Sequence, residues 1–556
     1  MLLVRGARPL ARATRSLSTN KFVLTLNAGS SSIKFGVFDV AGGAPVERCS
    51  GIVEEVGSDH SRLKLVVDGE VKRDVADLHI KGHGEALASI RDALAPQLPG
   101  EIAAVGHRVV HGGASILGPA LVDDAIVDEV DACAALAPLH NPANALGIRF
   151  ARDTWGDVPH VVVPDTAFHT STMAPESFRY ALPKHLYDDH GVRRYGFHGT
   201  SYAYVTKQLA AALGKPVSAV NAIVCHLGSG ASMCCVEHGR SIDTTMGLTP
   251  LEGLVMGTRA GDVDAGVLAY LSERGYSTQD LDALLNKESG LKGLSGGLAS
   301  DMRAITKLAE QGDDDAALAR SVFIERCRKY IGAYAVKLKG RVDAIVFCGG
   351  IGEGDADARR RICADLEGLL GCEIDATKNA FAVDGESVVD VSTQFASTKV
   401  YVVPTDEELE IASQTASVAD LIEEVKPSVV VPETVAPSKD AAPPIGNVLF
   451  VDGGGATAPA ELGLMFAAMT AHSSVGFFRP VHHGFVDRKL ALFREVFDLD
   501  DVPVEAMCAA ASFLLHAVDA TPARWRAPGS LVDLHAGMVS RRPRRTSYSR
   551  RTTKRR

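Results

Sequence analysis

Two stretches of this chain carry the same pattern, and that repetition constrains the fold more than any other feature of the sequence. "FVLTLNAGSSSIKFGVFDV" begins at Phe22 and "AIVCHLGSGASMCCVEHGRSID" begins at Ala222. Each reads as an apolar strand, a polar residue (Asn27 or His226), one further residue, a glycine (Gly29 or Gly228), a run of Ser, Gly or Ala, and a second apolar strand. The two glycines lie 199 residues apart. A tight hairpin needs no more than Asn-Gly or Asp-Gly. These turns offer additional backbone N–H groups and hydroxyls, the groups that cradle anionic oxygens. The repetition implies two related halves, each presenting one glycine–serine hairpin.

The rest of the chain supports layered halves. "VVV" at 161–163, "AIVCHL" at 222–227, "AIVFC" at 344–348 and "KVYVV" at 399–403 are short β-rich runs. "AIVDEVDACAALA", "SYAYVTKQLAAAL" and "LARSVFIERCRKYIGAYAVKL" place apolar residues three and four apart, which predicts helices. Alternation of the two predicts an α/β architecture. A third glycine-rich element, "VFCGGIGEGDADARRR", leaves a strand through Gly349, Gly350 and Gly352 toward a predicted helix. Glycines let a ligand approach the backbone closely, and a helix start favours anions. The sequence contains no G-x-x-x-x-G-K. Three glycine-rich loops without that motif point to a nucleotide held between two related halves.

Composition narrows the class. The chain has 556 residues, 46% apolar and 23% charged, which suits a globular protein of several domains. Its net charge of −10 is unevenly spread: nine basic residues fill the last sixteen positions, four arginines and no acid fill the first twenty, and −23 remains between. An acidic body repels nucleic acid, so no nucleic-acid partner is expected and the basic tail reads as a solvated segment. No apolar run is long enough to span a membrane. Ten cysteines without a C-x-x-C pair read as buried thiols in a reducing compartment. Arginines at 5, 8, 12 and 15 line one helical face of an acid-free leader, the composition of a mitochondrial transit peptide. The matrix is therefore the expected location, and the cytoplasm the alternative.

Nine segments together resemble the acetate kinase family: "LNAGSSSIKF", "GHRVVHGG", "APLHNPAN", "DTAFH", "RRYGFHGTSY", "CHLGSGAS", "DTTMGLTPLEGLVMGTRAGDVD", "GGIGE" and "PTDEELEIA". They stand in the family's order over about residues 21–425. The resemblance implies a duplicated ribonuclease H-like fold, the two-domain architecture of sugar kinases, Hsp70 and actin, with a central nucleotide cleft. It implies reversible phosphoryl transfer between ATP and acetate, giving acetyl phosphate and ADP with Mg²⁺, typically in a homodimer. Propionate or another short-chain acid is the enzyme alternative. A nucleotide-gated interaction protein on the same fold is the alternative of another class.

By the same resemblance, Arg108 and Arg259 flank the transferred phosphoryl, where the guanidinium fork suits phosphate. His198 and His140 approach the same oxygens, and Asp165 is the essential aspartate. Val110, Leu139, Phe197 and Pro250 would face the acyl group. The nucleotide would meet Lys34, His226, Leu227, Gly228, Ser229, Gly230, Asp301, Met302, Arg303, Gly349, Gly350, Ile351, Gly352 and Glu353. Lys34 also admits a reading as a structural ion-pair member. Asn27 and Glu407 would hold Mg²⁺ through waters. Thr405-x-x-Glu408 reads as a capping box, which favours Glu407 over Glu408 as the metal-facing residue. Ser229 and Asp406 stand where relatives carry Asn, and Pro164 where an apolar residue is expected.

The expected organisation is a leader at 1–20, domain I at 21–166 completed by 407–425, domain II at 167–406, and a Pro-rich linker at 426–445. Residues 446–525 resemble part of the N-terminal, P-loop-type domain of phosphate acetyltransferase, as a small α/β extension lacking the P-loop Lys-Ser/Thr. That points to phosphate acetyltransferase as a partner. A basic disordered tail at 526–556 is expected to follow.

Overall fold

The structure is a computed structural model, and it describes residues 21–29, 31–98, 100–138, 140–382 and 387–421. The expectations for Leu139, the leader, the linker, the C-terminal segment and the tail lie outside these residues.

Two sheets organise the body. The first contains β1 (Lys21–Ala28), β2 (Ile33–Asp39), β3 (Val46–Glu54), β4 (Arg62–Val67), β5 (Glu70–Val75), β6 (Glu101–Val109), β7 (Ala120–Leu121) and β8 (His160–Pro164). Their order is β5-β4-β3-β2-β1-β6-β8-β7. The second contains β9 (Ala222–Leu227), β10 (Ala231–Glu237), β11 (Arg240–Thr244), β12 (Ala344–Cys348), β13 (Val389–Asp390) and β14 (Lys399–Val402), in the order β11-β10-β9-β12-β14-β13. The blocks β3-β2-β1-β6-β8 and β11-β10-β9-β12-β14 match strand for strand. In each, three antiparallel strands joined by short turns are followed by two parallel strands reached through helical crossovers. The repeated hairpins are thus the first two strands of two equivalent sheets, as a duplicated two-domain α/β fold requires.

Parallel strands covered on both faces become continuous apolar runs. β8 and β12 are buried at every residue. Alternation of side chains then decides what each face meets. Leu24 and Leu26 pack with Leu87 and Ile90 of helix His83–Leu94, whereas Val23 packs with Ala412 and Ala416 of helix Glu407–Val418. On the second sheet Ile223 and Cys225 meet Phe323 and Cys327 of helix Asp314–Lys337, whereas Ala222 and Val224 meet Val205 and Leu209 of helix Gly199–Leu213. Helices Glu407–Val418 and Gly199–Leu213 therefore occupy equivalent places.

Two local expectations shift. The expected capping box from Thr405 does not form: helix Glu407–Val418 is capped one residue later by Asp406, whose carboxylate accepts from Leu409 N at 2.8 Å. Asp is among the strongest N-caps, and Thr405 N already donates to Glu353 Oε1 at 3.3 Å. The glycines of "GGIGEG" do not precede a helix but form one, Gly349–Gly354, which breaks before a second helix at Ala356–Cys363. Its entry requires Gly349, whose φ is +74°. The nine described cysteines are all buried and unbridged. Among the described residues, no helix is long and apolar enough to cross a membrane.

Candidate active site

Three strand ends build one corner of the site. Arg108, next to last in β6, donates from Nε and Nη2 to the two carboxylate oxygens of Asp165 at 3.2 and 2.5 Å. Its Nη1 donates to Asn27 Oδ1 in the neighbouring β1 at 3.1 Å, and Nε lies 3.8 Å from Glu407 Oε2. Asp165 follows Pro164, the last residue of β8, and its N–H continues the ladder to Val109 O at 2.8 Å. Pro164 thus ends a strand, a position that tolerates its fixed φ. Thr200 Oγ1 donates to Asp165 Oδ1 at 3.0 Å, and Asp165 is 1% exposed. Burial alone would lower the Arg108 pKa, but Asp165 and Glu407 push it up. Burial drives the Glu407 carboxyl the other way, up to about 7, with Asp165 and Glu408 adding to the rise against Arg108 and Lys34. Lys34 stands opposite Asn27 in the hairpin and makes no ion pair among the described residues.

The second half supplies the opposite corner. His198 adopts a left-handed conformation, φ +59°, immediately before helix Gly199–Leu213. Its ring stacks on His226 at 4.2 Å between centroids, and Nδ1 lies 2.8 Å from Ser232 Oγ. Ser232 Oγ also lies 2.5 Å from Tyr202 Oη. No other partner of Tyr202 Oη is found among the described residues, so every proton in this chain is used when Tyr202 donates to Ser232 and Ser232 donates to Nδ1. That leaves the Nε2 proton of His198 free. Burial, with His226, Arg108 and Arg259 nearby, holds His198 well below the usual histidine range. Burial and Arg108 bring His226 down to about 4, and its Nδ1 lies 2.8 Å from Ser201 Oγ. Both rings are therefore neutral near pH 7.

Arg259 contrasts with Arg108. Its Nη1 donates to the Pro250 carbonyl at 3.1 Å and meets Met256 Sδ at 3.6 Å, and no carboxylate pairs with it among the described residues. Burial lowers its pKa. A methyl group placed on Gly230 would lie 3.5 Å from Arg259 Nη1 and 3.7 Å from His198 Nε2, so all three converge. His140, at the start of helix Asn141–Thr154, is lowered by burial and then by both Arg108 and Arg259, which places it within their fields. Val110 and Phe197 share one apolar cluster with Ala137, Leu254 and Val255.

The nucleotide candidates surround the second hairpin. The N–H of Gly228 donates to Gly230 O across the turn, and Gly257 N donates to Ser229 O at 2.9 Å. A methyl group on Gly257 would meet Ser300 O at 2.9 Å and Ser229 Oγ at 3.2 Å, while one on Gly349 would meet Leu227 O at 2.9 Å. The turn 228–230 is thereby flanked by Gly349 and by the residue before Asp301. Asp301 caps helix Met302–Glu310 through Arg303 N and Ala304 N, and Arg303 is exposed beside it. Met302 is buried in the core, so only its backbone can face a ligand. Glu353 accepts from Gly349 N at 2.8 Å and thus ties its own helix start to the loop before Glu407. Gly350 faces open space. Ile351 packs against the core, and Gly352 lies over Phe347.

Sequence reasoning missed Thr200, Ser232 and Tyr202. All three lie within or beside quoted motifs, but hydroxyls 30 or more residues apart declare no contact in a linear sequence. Only the return of β10 alongside β9 brings Ser232 under His198.

The acetokinase family model matches residues 22–413. The acetate kinase of Pseudarthrobacter chlorophenolicus is 46% identical over 398 residues, 71% of this chain and 98% of that protein. The crystal structure of Porphyromonas gingivalis acetate kinase superposes with a TM-score of 0.66 at 38% identity, covering 72% of this chain and 99% of the other. That of a propionate kinase from Francisella tularensis subsp. tularensis gives 0.65 at 38%, covering 71% and 99%. With a family match over most of its length, near-complete coverage of these relatives and two equivalent sheets joined at a cluster of arginines and histidines, the chain belongs to the acetokinase family.

Proposed function

We propose that the protein is an acetate kinase, catalysing ATP + acetate ⇌ ADP + acetyl phosphate by direct in-line transfer. The observation that carries this reading is Arg259: a partly buried guanidinium, without a carboxylate partner among the described residues, converging with His198 Nε2 on the glycine turn. A partly desolvated cation without a counter-charge favours an anion beside it. A phosphoryl group, with negative charge spread over three equatorial oxygens in the transition state, is such an anion.

Arg259 and Arg108 clamp those oxygens from opposite halves. His198 donates Nε2–H to one of them without adding charge, and His140 stands beside the same group. An acetate oxygen forms the new bond to phosphorus as the bond from phosphorus to the β–γ bridging oxygen breaks, and the electron pair leaves with ADP. Acetate has no proton to lose near pH 7, so no general base is required. Asp165 accepts from Arg108 twice and from Thr200 once, which suits orienting rather than proton transfer.

Mg²⁺ fits the first corner. Glu407 is partly buried near Asp165 and Glu408, and its carboxyl is pushed up first by desolvation and then by those two carboxylates, a setting in which a bound cation would favour the ionised form. Asn27 and Glu407 would hold the ion, largely through water. When bound, it neutralises charge on the nucleotide phosphates. Asp406 is occupied as the helix cap, so it acts on the site through the helix start.

Val110, Phe197 and Pro250 would enclose the methyl group. One methylene in such a pocket changes discrimination by only about 1–3 kcal/mol. The Francisella propionate kinase keeps propionate as the second substrate to measure. We also infer the halves to be 21–166 with 407–425, and 167–406, in a homodimer, with phosphate acetyltransferase as the enzyme acting on the same acyl phosphate. The test is trapping of acyl phosphate with hydroxylamine in the presence of ATP, Mg²⁺ and acetate or propionate. Hydroxamate from acetate supports the reading, a higher kcat/KM for propionate moves it to that acid, and no hydroxamate from either acid overturns it.

A further inference from the structure

Two helices from opposite halves both begin at the site and lie against each other. Helix Gly199–Leu213 follows His198 and carries, in its first turn, the Thr200 hydroxyl that holds Asp165. Helix Glu407–Val418 has Glu407 as its first residue. Among the described residues, a single ion pair joins them. Lys207 Nζ donates to both carboxylate oxygens of Glu410, at 2.7 and 2.9 Å. Gln414 Nε2 adds a third hydrogen bond to that carboxylate at 2.8 Å. Glu410 is 2% exposed, whereas the Lys207 side chain is about half exposed.

Beside the ion pair the surface is grooved. A pocket of about 360 Å³ opens there. Ala203 and Thr206 line it from one helix and Gln414 from the other, over a floor that includes Pro164, Phe168 and Thr200. Apolar contacts between the two helices are non-directional and do not by themselves single out one pairing of residues. A buried carboxylate is different, because it must keep its cation and hydrogen bonds.

We infer that the Lys207–Glu410 pair is a positioning element for the phosphoryl transfer, setting the register between the two helices and so the placement of Glu407 relative to Thr200 and Asp165. The inference rests on the functional reading above. Neither side chain touches a reacting group. Lys207 lies about two turns from Thr200, and Glu410 about one turn from Glu407. A slip by one residue moves a helix start by about 1.5 Å. Misplacement of reacting groups by about 1 Å can cost about a hundredfold in rate.

The experiment uses the full chain carrying Lys207→Met, Lys207→Arg, or the double change Lys207→Met with Glu410→Met. Two quantities are measured: kcat and KM in the hydroxamate assay, and hydrogen exchange at the Gly199 amide, which donates to the Asp165 carbonyl at 2.9 Å. Lys207→Met is expected to lower kcat about ten- to a hundredfold with KM little changed, and to speed exchange at Gly199. Lys207→Arg is expected to preserve both. The double variant replaces a buried pair by apolar side chains, so it is expected to keep the melting temperature and still lose kcat.

Wild-type kcat in the double variant overturns the inference, and this variant decides the matter if Lys207→Met does not fold. An active wild type whose kcat and Gly199 exchange ignore Lys207→Met also overturns it. If the wild type forms no acyl phosphate while exchange responds as expected, the functional reading falls and the register between the helices stands.

Discussion

The two halves hold their arginines in opposite ways. Arg108, from the first, is fixed by both oxygens of Asp165 and by Asn27, with Glu407 close by. Arg259, from the second, rests on a carbonyl and a thioether. One half therefore supplies, from a strand, a cation whose charge is already balanced, and the other, from a loop, a cation with no carboxylate partner among the described residues. Under the proposed function the first would serve fold and site together, and the second the site alone.

The largest test of this contrast is Arg259→Ala. Loss of a guanidinium that meets the transferring group is expected to lower kcat about 10³-fold or more. The melting temperature should hold or rise, because a partly buried cation without a carboxylate partner is removed. Arg108→Ala should lose activity and also about 3–5 kcal/mol of stability, since Asp165 is left buried without its cation. Denaturant titration beside the hydroxamate assay separates the two. An Arg259→Ala protein that unfolds, or an Arg108→Ala protein as stable as the wild type, breaks the comparison.

Ser232→Ala tests the neutral side of the second half. It leaves the Tyr202 hydroxyl buried without a partner, at about 1–3 kcal/mol, and frees the His198 tautomer. We expect kcat to fall about tenfold or more with KM for ATP nearly constant, read by steady-state kinetics.

Acidity separates the halves again. Glu407 has a raised pKa, so it takes up a proton as pH falls through about 7. Metal affinity measured by calorimetry should then weaken about tenfold per pH unit below that value, and Glu407→Gln should flatten the dependence. The histidine shift runs downward instead and acts on stability. His226 is brought down to about 4 by burial, while an unfolded histidine titrates near 6.5. The unfolded chain thus binds more protons between these values, so stability is full above about 6.5 and falls as pH drops toward 4. Melting temperature against pH checks the sign.

The smallest effect is expected at Asp406. Asn caps a helix as well as Asp does, so Asp406→Asn should change stability by only a few tenths of a kcal/mol, against about 1 kcal/mol for Asp406→Ala. A larger loss in the Asn variant would assign Asp406 a charge-dependent role beyond its cap.

Much of the fold was legible because duplication leaves a trace in sequence. The two glycine–serine hairpins, the β-rich runs at 161–163, 222–227, 344–348 and 399–403, and the helical periodicity of 318–338 all occupy the elements that their patterns predict. The helix start at Glu407 was read one residue off, because capping boxes are local patterns and Glu353, from the distant helix Gly349–Gly354, claims the Thr405 amide. The glycine helix at 349–354 was also misread, since nothing local shows that Leu227 approaches Gly349 closely.

By itself, the sequence determined the duplicated α/β class, the hairpins that face the site, and the identities of the charged and histidine side chains. Those are properties of period, turn chemistry and residue type, which act over a few positions. Tertiary structure decided which cation is paired, which proton His198 presents, why Glu407 is hard to ionise, and that Lys207 meets Glu410 across 203 residues. Each of these depends on burial and on partners contributed by another strand or helix. Desolvation and hydrogen bonding act through space, and no spacing along the chain encodes them.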